Sequence, residues 1–252
     1  MLLMKVSFHL YKISDAQPTD VELSLHVRFQ APVDGRMMPA QTYFEILSKT
    51  YRANRRILTP REIGCARAHA RIWETIVREG VPGLVFEEDI TLNVKDVEVA
   101  RRVIRNGNVS FVHFGVQPDP RYLGIWDTDV GLFRVEPNWR FYGAFAYYVT
   151  PPVASALLQF HARQPHVADA WEPFFASTTF IPYHYPLFVH PPTRGELEED
   201  RLVSRNAPHH LRLALNQGFV RVRQVFTVLF RLASGYRLVD KSFRLKSRNR
   251  RP

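Results

Sequence analysis

The stretch TPREIGCARAHARIWETIVREGVPGLVFEED, residues 59–89, decides the fold. Thr59 is a favoured helix N-cap, Pro60 suits the first helical position, and Glu62, three residues after Thr59, completes a capping box. Ile63, Ala66, Ala70, Trp73, Ile76 and Val77 then recur at helical spacing, and Gly80 supplies the stop. After the turn signal Pro82-Gly83, the short apolar run Leu84-Val85-Phe86 reads as a buried strand. The acidic triplet Glu87-Glu88-Asp89 falls at the carboxyl end of that strand. In open α/β sheets ligands bind beyond the carboxyl ends of strands. The order helix, strand, acidic loop therefore predicts an α/β domain with its site at this point.

Elements of the same kind extend in both directions. Residues 4–13 and Val27 to Ala31 read as strands, and the second runs into a turn at Asp34-Gly35. Downstream, a helix is expected over 94–105, a strand from Val109 to Phe114, and a long loop with short strands over 116–140. A strand follows from Tyr142 to Val149. Pro151-Pro152 opens a helix to about Phe160, and Tyr185 to Val189 reads as the last strand of the sheet, closed by His190.

Composition narrows the class. With 46% hydrophobic and 23% charged residues over 252 positions, the chain can bury a substantial core, which excludes wholesale disorder. Cys65 is the one cysteine, so no disulfide forms within the chain, as suits a reducing compartment. The N-terminus Met1-Leu2-Leu3-Met4-Lys5 lacks the pattern of a signal peptide. No run reaches the roughly 18 apolar residues of a membrane-spanning helix. The net charge of +10 is unevenly placed. Residues 201–252 hold 13 Lys and Arg against one acid, Asp240, for +12, and the remaining 200 residues net −2. The near-neutral body does not indicate nucleic-acid binding. We divide the chain into a domain over 1–206 and a basic tail over 207–252 with a helix from Leu211 to Leu232. That helix reads either as a binder of anionic lipid headgroups or as a packed helix with snorkelling arginines. The expected location is cytoplasmic, peripheral on the inner face of the membrane.

Several side chains have chemistry suited to a site. Three consecutive acids repel one another unless a cation or solvent screens them. Glu87 and Asp89, two apart, fall on one side of an extended segment and can share a hard divalent ion such as Mn²⁺ or Mg²⁺. His190, after an apolar strand, is either a further metal ligand from across the site or a structural residue. Asp169 and Glu172 are candidates for the general base that takes a proton from an attacking hydroxyl; Asp169 reads equally as a helix cap. His69 is either a hydrogen-bonded, partly buried helix residue or a catalytic one.

The run Leu58-Thr59-Pro60-Arg61-Glu62-Ile63-Gly64-Cys65, then His69 and Trp73, then Leu84-Val85-Phe86-Glu87-Glu88-Asp89-Ile90, resembles the signature of glycosyltransferase family 25. That family includes lipooligosaccharide galactosyltransferases and collagen galactosyltransferases. Ala31 to Arg36 resembles its early A-x-D-G turn, Gly143 to Tyr147 its glycine-initiated strand, and Asp169 and Pro191-Pro192 stand in family order, so the likeness spans roughly 27–205. It implies a GT-A-like fold, a mixed and mainly parallel sheet flanked by helices. It also implies a UDP-sugar donor, a divalent metal, and a glycan or glycolipid acceptor such as a lipooligosaccharide. Carried over, Glu87, Glu88 and Asp89 fall on the family's E-D-D, with Glu87, Asp89 and His190 read as metal ligands. Thr59, Glu62, Gly64, His69 and Glu88, with Asp34, Gly35 and Arg36 of the early turn, are read as donor-binding. The chain departs from the pattern in four places. The triplet reads Glu-Glu-Asp, Pro60-Arg61 replaces the usual residue before Glu62, Ala68 stands where serine is common, and the arginine-rich segment expected after the first strand is missing. Lys12, Arg28 and Arg36 are the cations nearest to replacing it.

Overall fold

The computed structural model describes residues 7–54, 56–116, 122–127, 131–136, 141–190 and, near the C-terminus, 229–230, 233–234 and 237–239. Within these, the strands are β1 (His9–Ile13), β2 (Arg28–Gln30), β3 (Gly83–Phe86), β4 (Phe111–Val116), β5 (Tyr122–Asp127), β6 (Leu132–Glu136), β7 (Ala146–Val149), β8 (Tyr183–Val189) and β9 (Arg237–Val239). The helices are α1 (Asp20–Ser24), α2 (Ala40–Asn54), α3 (Pro60–Glu79), α4 (Val94–Gly107), α5 (Pro151–Arg163) and α6 (Trp171–Ala176), with a 3₁₀ turn at Gly35–Met37.

The strands form one sheet in the order β2-β1-β3-β7-β4-β8-β6-β5-β9. Seven strands, from β2 to β6, make its body, and β5 and β9 extend one edge. The sheet is mixed, as expected, but it is not mainly parallel. β1–β2, β1–β3 and β4–β8 pair in parallel, whereas β3–β7, β4–β7, β6–β8, β5–β6 and β5–β9 pair antiparallel. The physical cause is β7, which enters the centre of the sheet against both neighbours. β1, β2, β3, β4 and β8 still run the same way, so their carboxyl ends share one edge.

Strand alternation divides the core in two. Tyr11, Val85, Phe111 and Tyr147 face α3, α5 and α6 through Ile72, Trp73, Ile76, Leu157, Trp171 and Phe174. Leu10, Leu84, Phe86, Val112 and Tyr148 face α4 through Val97, Ala100 and Ile104. Helices thus cover both sides of the sheet. α3 carries the expected capping box at Thr59 and Glu62, and its stop, Gly80, is left-handed with φ 68°. Its inner face differs slightly from the expectation: Val77 is exposed, and Ala68, His69 and Ile72 are buried instead.

Other boundaries also shifted. The strand expected from Tyr142 begins only at Ala146, because Gly143, at φ 91°, turns the chain and bonds side chains instead of a neighbouring strand. α1 and α2 have no counterpart in the sequence reading; α1 has its own capping box, Thr19 with Glu22. β8 is not the last strand, since residues 237–239, read as tail, pair with β5. Most of the expected tail helix and the 206/207 boundary lie outside the described residues.

Two glycines lock the 3₁₀ turn onto α3. A Cβ on Gly35 would fall 1.8 Å from the Pro60 carbonyl oxygen, and one on Gly64 would fall 2.0 Å from that of Val33. Glycine to alanine inside a helix ordinarily stabilises by up to about 1 kcal/mol. At Gly64 the clash is with backbone, which cannot rotate away, so the sign reverses. Gly64→Ala is expected to lose roughly 1–3 kcal/mol, the range for overpacking. Urea unfolding checks this, and a variant more stable than the parent would refute the close approach.

Candidate functional site

The acidic triplet opens where β3 ends. The Glu87 amide donates to the Phe145 carbonyl at 3.0 Å, continuing the β3–β7 ladder by one rung, and the Ile90 amide donates to the Glu87 carbonyl at 3.2 Å. Residues 87–90 are therefore a tight turn and not the extended segment expected. Ile90 and Leu92 are buried beside Phe86 and anchor the turn from below. Glu88 and Asp89 are left at the surface.

The turn brings Glu87 and Asp89 together, and His190 joins them. One ligand atom from each of the three lies within 4.8 Å of the others, and His190 Nε2 is 2.6 Å from Asp89 Oδ2. His190 follows β8, which is separated from β3 by β7 and β4. A small residue helps close that gap. A Cβ on Gly115, in β4, would lie 2.2 Å from the Phe145 ring, so glycine there lets the ring lie across the strand. The same ring meets His190 edge-on at 5.1 Å. Two carboxylates and an imidazole fit a divalent ion. The oxygens suit Mg²⁺ or Mn²⁺, and the nitrogen tilts the set toward the transition metal.

Behind Glu87 lies a buried polar line. His69 is fully buried; its Nε2 is 3.2 Å from Glu87 Oε1 and its Nδ1 is 2.8 Å from the Tyr147 hydroxyl. Trp73 Nε1 donates to that same hydroxyl at 2.8 Å. Cys65, one turn before His69, has its sulfur within 4.8 Å of ligand atoms of His69 and Glu87. Burial pushes the Tyr147 phenol well above the usual tyrosine range. Tyr147 had no role in the sequence reading, and no local pattern marks it: it is one of several aromatics in a buried strand.

Glu88 is exposed and joins neither group of ligand atoms. Thr59 and Glu62 form the cap of α3: Glu62 is 3% exposed, and its carboxylate takes the Thr59 amide and the Arg56 guanidinium. Gly35 and Gly64 serve the packing described above. Asp34 caps the 3₁₀ turn and grips Arg36 through paired hydrogen bonds. The Arg36 side chain, ahead of its amide, holds the Asp34 carboxyl down to about 2. The other two cations of the sequence reading are also paired: Lys12 meets Glu22 at 2.7 Å in a nearly buried pair, and Arg28, at the amino end of β2, meets Glu79.

The two base candidates separate. Asp169 Oδ2 accepts the Gly143 amide at 2.9 Å, two residues before Phe145, so it belongs to the same network as the turn. It is not a helix cap, since Ala170 holds that position. The Gly143 carbonyl takes hydrogen bonds from His113 Nε2 and Trp171 Nε1. Glu172 lines a cleft of about 310 Å³ with Arg134, Glu136, Ile181 and Pro182. Arg134 pairs with Tyr183, so this cleft sits at the amino end of β8. His190 follows the other end, and seven strand residues put roughly 20 Å between them. Glu172 stands at the wrong edge of the sheet to act with Glu87 and Asp89.

Residues 17–112 match the family model described as glycosyltransferase family 25 (LPS biosynthesis protein). The matched stretch runs from before α1 through α3, β3 and the acidic turn into β4. No curated protein matches the chain.

Proposed function

With residues 17–112 matching glycosyltransferase family 25, and the chain therefore read as a glycosyltransferase, we propose that it moves a hexose, galactose from UDP-galactose first, onto a lipooligosaccharide or other surface glycan. One observation carries the reading: Glu87, Asp89 and His190 converge at the carboxyl edge of the parallel strands of a mixed sheet. These three would hold a divalent ion, Mn²⁺ before Mg²⁺. When bound, such an ion supplies positive charge against the leaving diphosphate. The protein's own part is to aim those ligands from a turn anchored on Ile90 and to present Asp169 as the general base for the acceptor hydroxyl. The Gly143 amide, donating to Asp169 Oδ2, fixes that carboxylate in place.

The basic tail, 207–252, would dock the enzyme on the anionic inner face of the membrane, where a lipid-linked acceptor lies. Among the described residues no helix is long and apolar enough to cross a membrane.

A second reading has one observation in its favour. Lys12, Arg28 and Arg36 are each paired with an acid, so none stands unpaired for the diphosphate in place of the missing arginine segment. On that reading the chain is a sugar- or partner-binding descendant. Calorimetry with UDP and Mn²⁺, followed by mass spectrometry over UDP-, GDP- and CMP-sugars, separates the two. Transfer is expected to require metal. Absence of UDP binding at millimolar concentration, with and without metal, would count for the descendant.

A further inference from the structure

We propose that His69 is a positioning residue, which holds the Glu87 carboxylate in ligating orientation by donating its Nε2–H to Oε1. The argument rests on the reading of Glu87 as a metal ligand and proceeds by accounting for hydrogens. An indole nitrogen only donates, so Trp73 Nε1–H must give its proton to the Tyr147 oxygen at 2.8 Å. Burial keeps the Tyr147 hydroxyl protonated, and that proton needs an acceptor. The atom placed to take it is His69 Nδ1, 2.8 Å away. The neutral ring then carries its own hydrogen on Nε2, which is 3.2 Å from Glu87 Oε1. The opposite tautomer would bury the tyrosine proton without a partner and set the bare Nε2 lone pair against a carboxylate oxygen.

The consequence is directional. Trp73, His69 and Tyr147 are at most 0% exposed, so the line is held by packing and excluded from water. It engages Oε1 of Glu87, the carboxylate that also falls in the group with Asp89 and His190. Metal ligands are commonly oriented by a hydrogen-bonded partner behind them, and losing that partner typically lowers metal affinity by roughly 10–100-fold. Here the usual roles are reversed, with an imidazole orienting a carboxylate. Cys65 marks the competing arrangement, in which its sulfur, a His69 ring nitrogen and Glu87 grip an ion together; with Nδ1 against the Tyr147 hydroxyl, that nitrogen would be Nε2. That arrangement requires the tautomer that the Tyr147 proton disfavours.

Two measurements on the full chain test the proposal. Long-range ¹H–¹⁵N correlation on the metal-free protein reads the tautomer, with His69→Gln identifying the ring by its lost signals. Nε2–H is expected; Nδ1–H would overturn the proposal. Calorimetry with Mn²⁺ alone then reads affinity without any donor or turnover. His69→Gln, which keeps a donor at the Nε2 position, is expected within a few-fold of the parent, and His69→Leu about 10–100-fold weaker. Should His69→Leu fail to fold, Tyr147→Phe removes one oxygen and is expected to weaken Mn²⁺ binding in the same direction while releasing the tautomer. Cys65→Ser is expected to bind as the parent does; a loss equal to that of His69→Leu would make His69 a ligand beside Cys65 and overturn the positioning role. Parent-like affinity in both His69→Leu and Tyr147→Phe would overturn it too. If the parent binds no Mn²⁺ while showing Nε2–H, the metal reading of Glu87 has failed, and the positioning role falls with it.

Discussion

Asp89→Ala is expected to lower sugar transfer by roughly 10²–10³-fold, the scale on which a single preorganised electrostatic partner acts in a transition state. The substitution removes the carboxylate that meets His190 at 2.6 Å and so opens the three-residue group. It should leave the fold intact. The turn is closed by the backbone bond from Ile90 to Glu87 and anchored by the buried Ile90 side chain, neither of which involves the Asp89 side chain. Stability is expected within about 0.5 kcal/mol of the parent, as for ordinary surface changes. Glu88→Ala is the control, one residue away, equally acidic and outside both groups of ligand atoms. Initial rates with saturating donor, at several Mn²⁺ concentrations, give the readout. Equal losses in the two variants would mean that the acidity of the loop matters and the Glu87–Asp89–His190 geometry does not.

The contrast between those two neighbours shows what was legible in the sequence. α3, β3 and the position of the turn were readable because their signals are local: a capping box, a glycine stop, a short apolar run. His190 was readable as a candidate because it directly follows an apolar strand. Strand direction was not readable. β7, Ala-Tyr-Tyr-Val and buried throughout, reads the same whichever way it runs, and its reversal makes the sheet mainly antiparallel. The separation of Glu172 from Asp169 was hidden for a related reason: three residues after Asp169, Glu172 lines the cleft beside β6, because the short helix α6 turns it there. Lys12 and Arg28 looked available because their partners are distant in the chain, Arg28 and Glu79 lying 51 residues apart. Pairing across such separations is set by packing, which one sequence read by its periodicities does not express. Tyr147 was missed on the same account, since it meets His69 across 78 residues.

Stability is expected to fall steeply as pH drops from about 6.5 toward 4, because several histidines are buried as neutral rings. His113 is the clearest. Burial, ahead of any other cause, lowers it from 6.5 to about 4; the Gly143 carbonyl and Asp169 oppose the shift without cancelling it. Its Nδ1 has no hydrogen-bond partner, so a proton added there would be buried without an acceptor. The sign follows from proton counting. Below 6.5 the unfolded chain takes up a proton on this ring and the folded one does not, so acid favours unfolding. The contribution is complete above the unfolded value near 6.5 and lost progressively toward the folded value near 4. For His113 alone it amounts to about 3 kcal/mol. His166, lowered to about 4, and His161, lowered to about 3, owe their shifts first to burial and act with the same sign. Together these rings can remove most of the 5–15 kcal/mol that a domain ordinarily has. Urea midpoints at pH 7, 6, 5 and 4 give the slope, and His113→Gln separates its share, since a glutamine there takes up no proton. A parent whose midpoint stays flat between pH 6.5 and 4.5 would show that the His113 ring reaches water or an acceptor that this packing denies it. The site would feel the loss early, because the Gly143 carbonyl that His113 holds belongs to the residue whose amide holds Asp169.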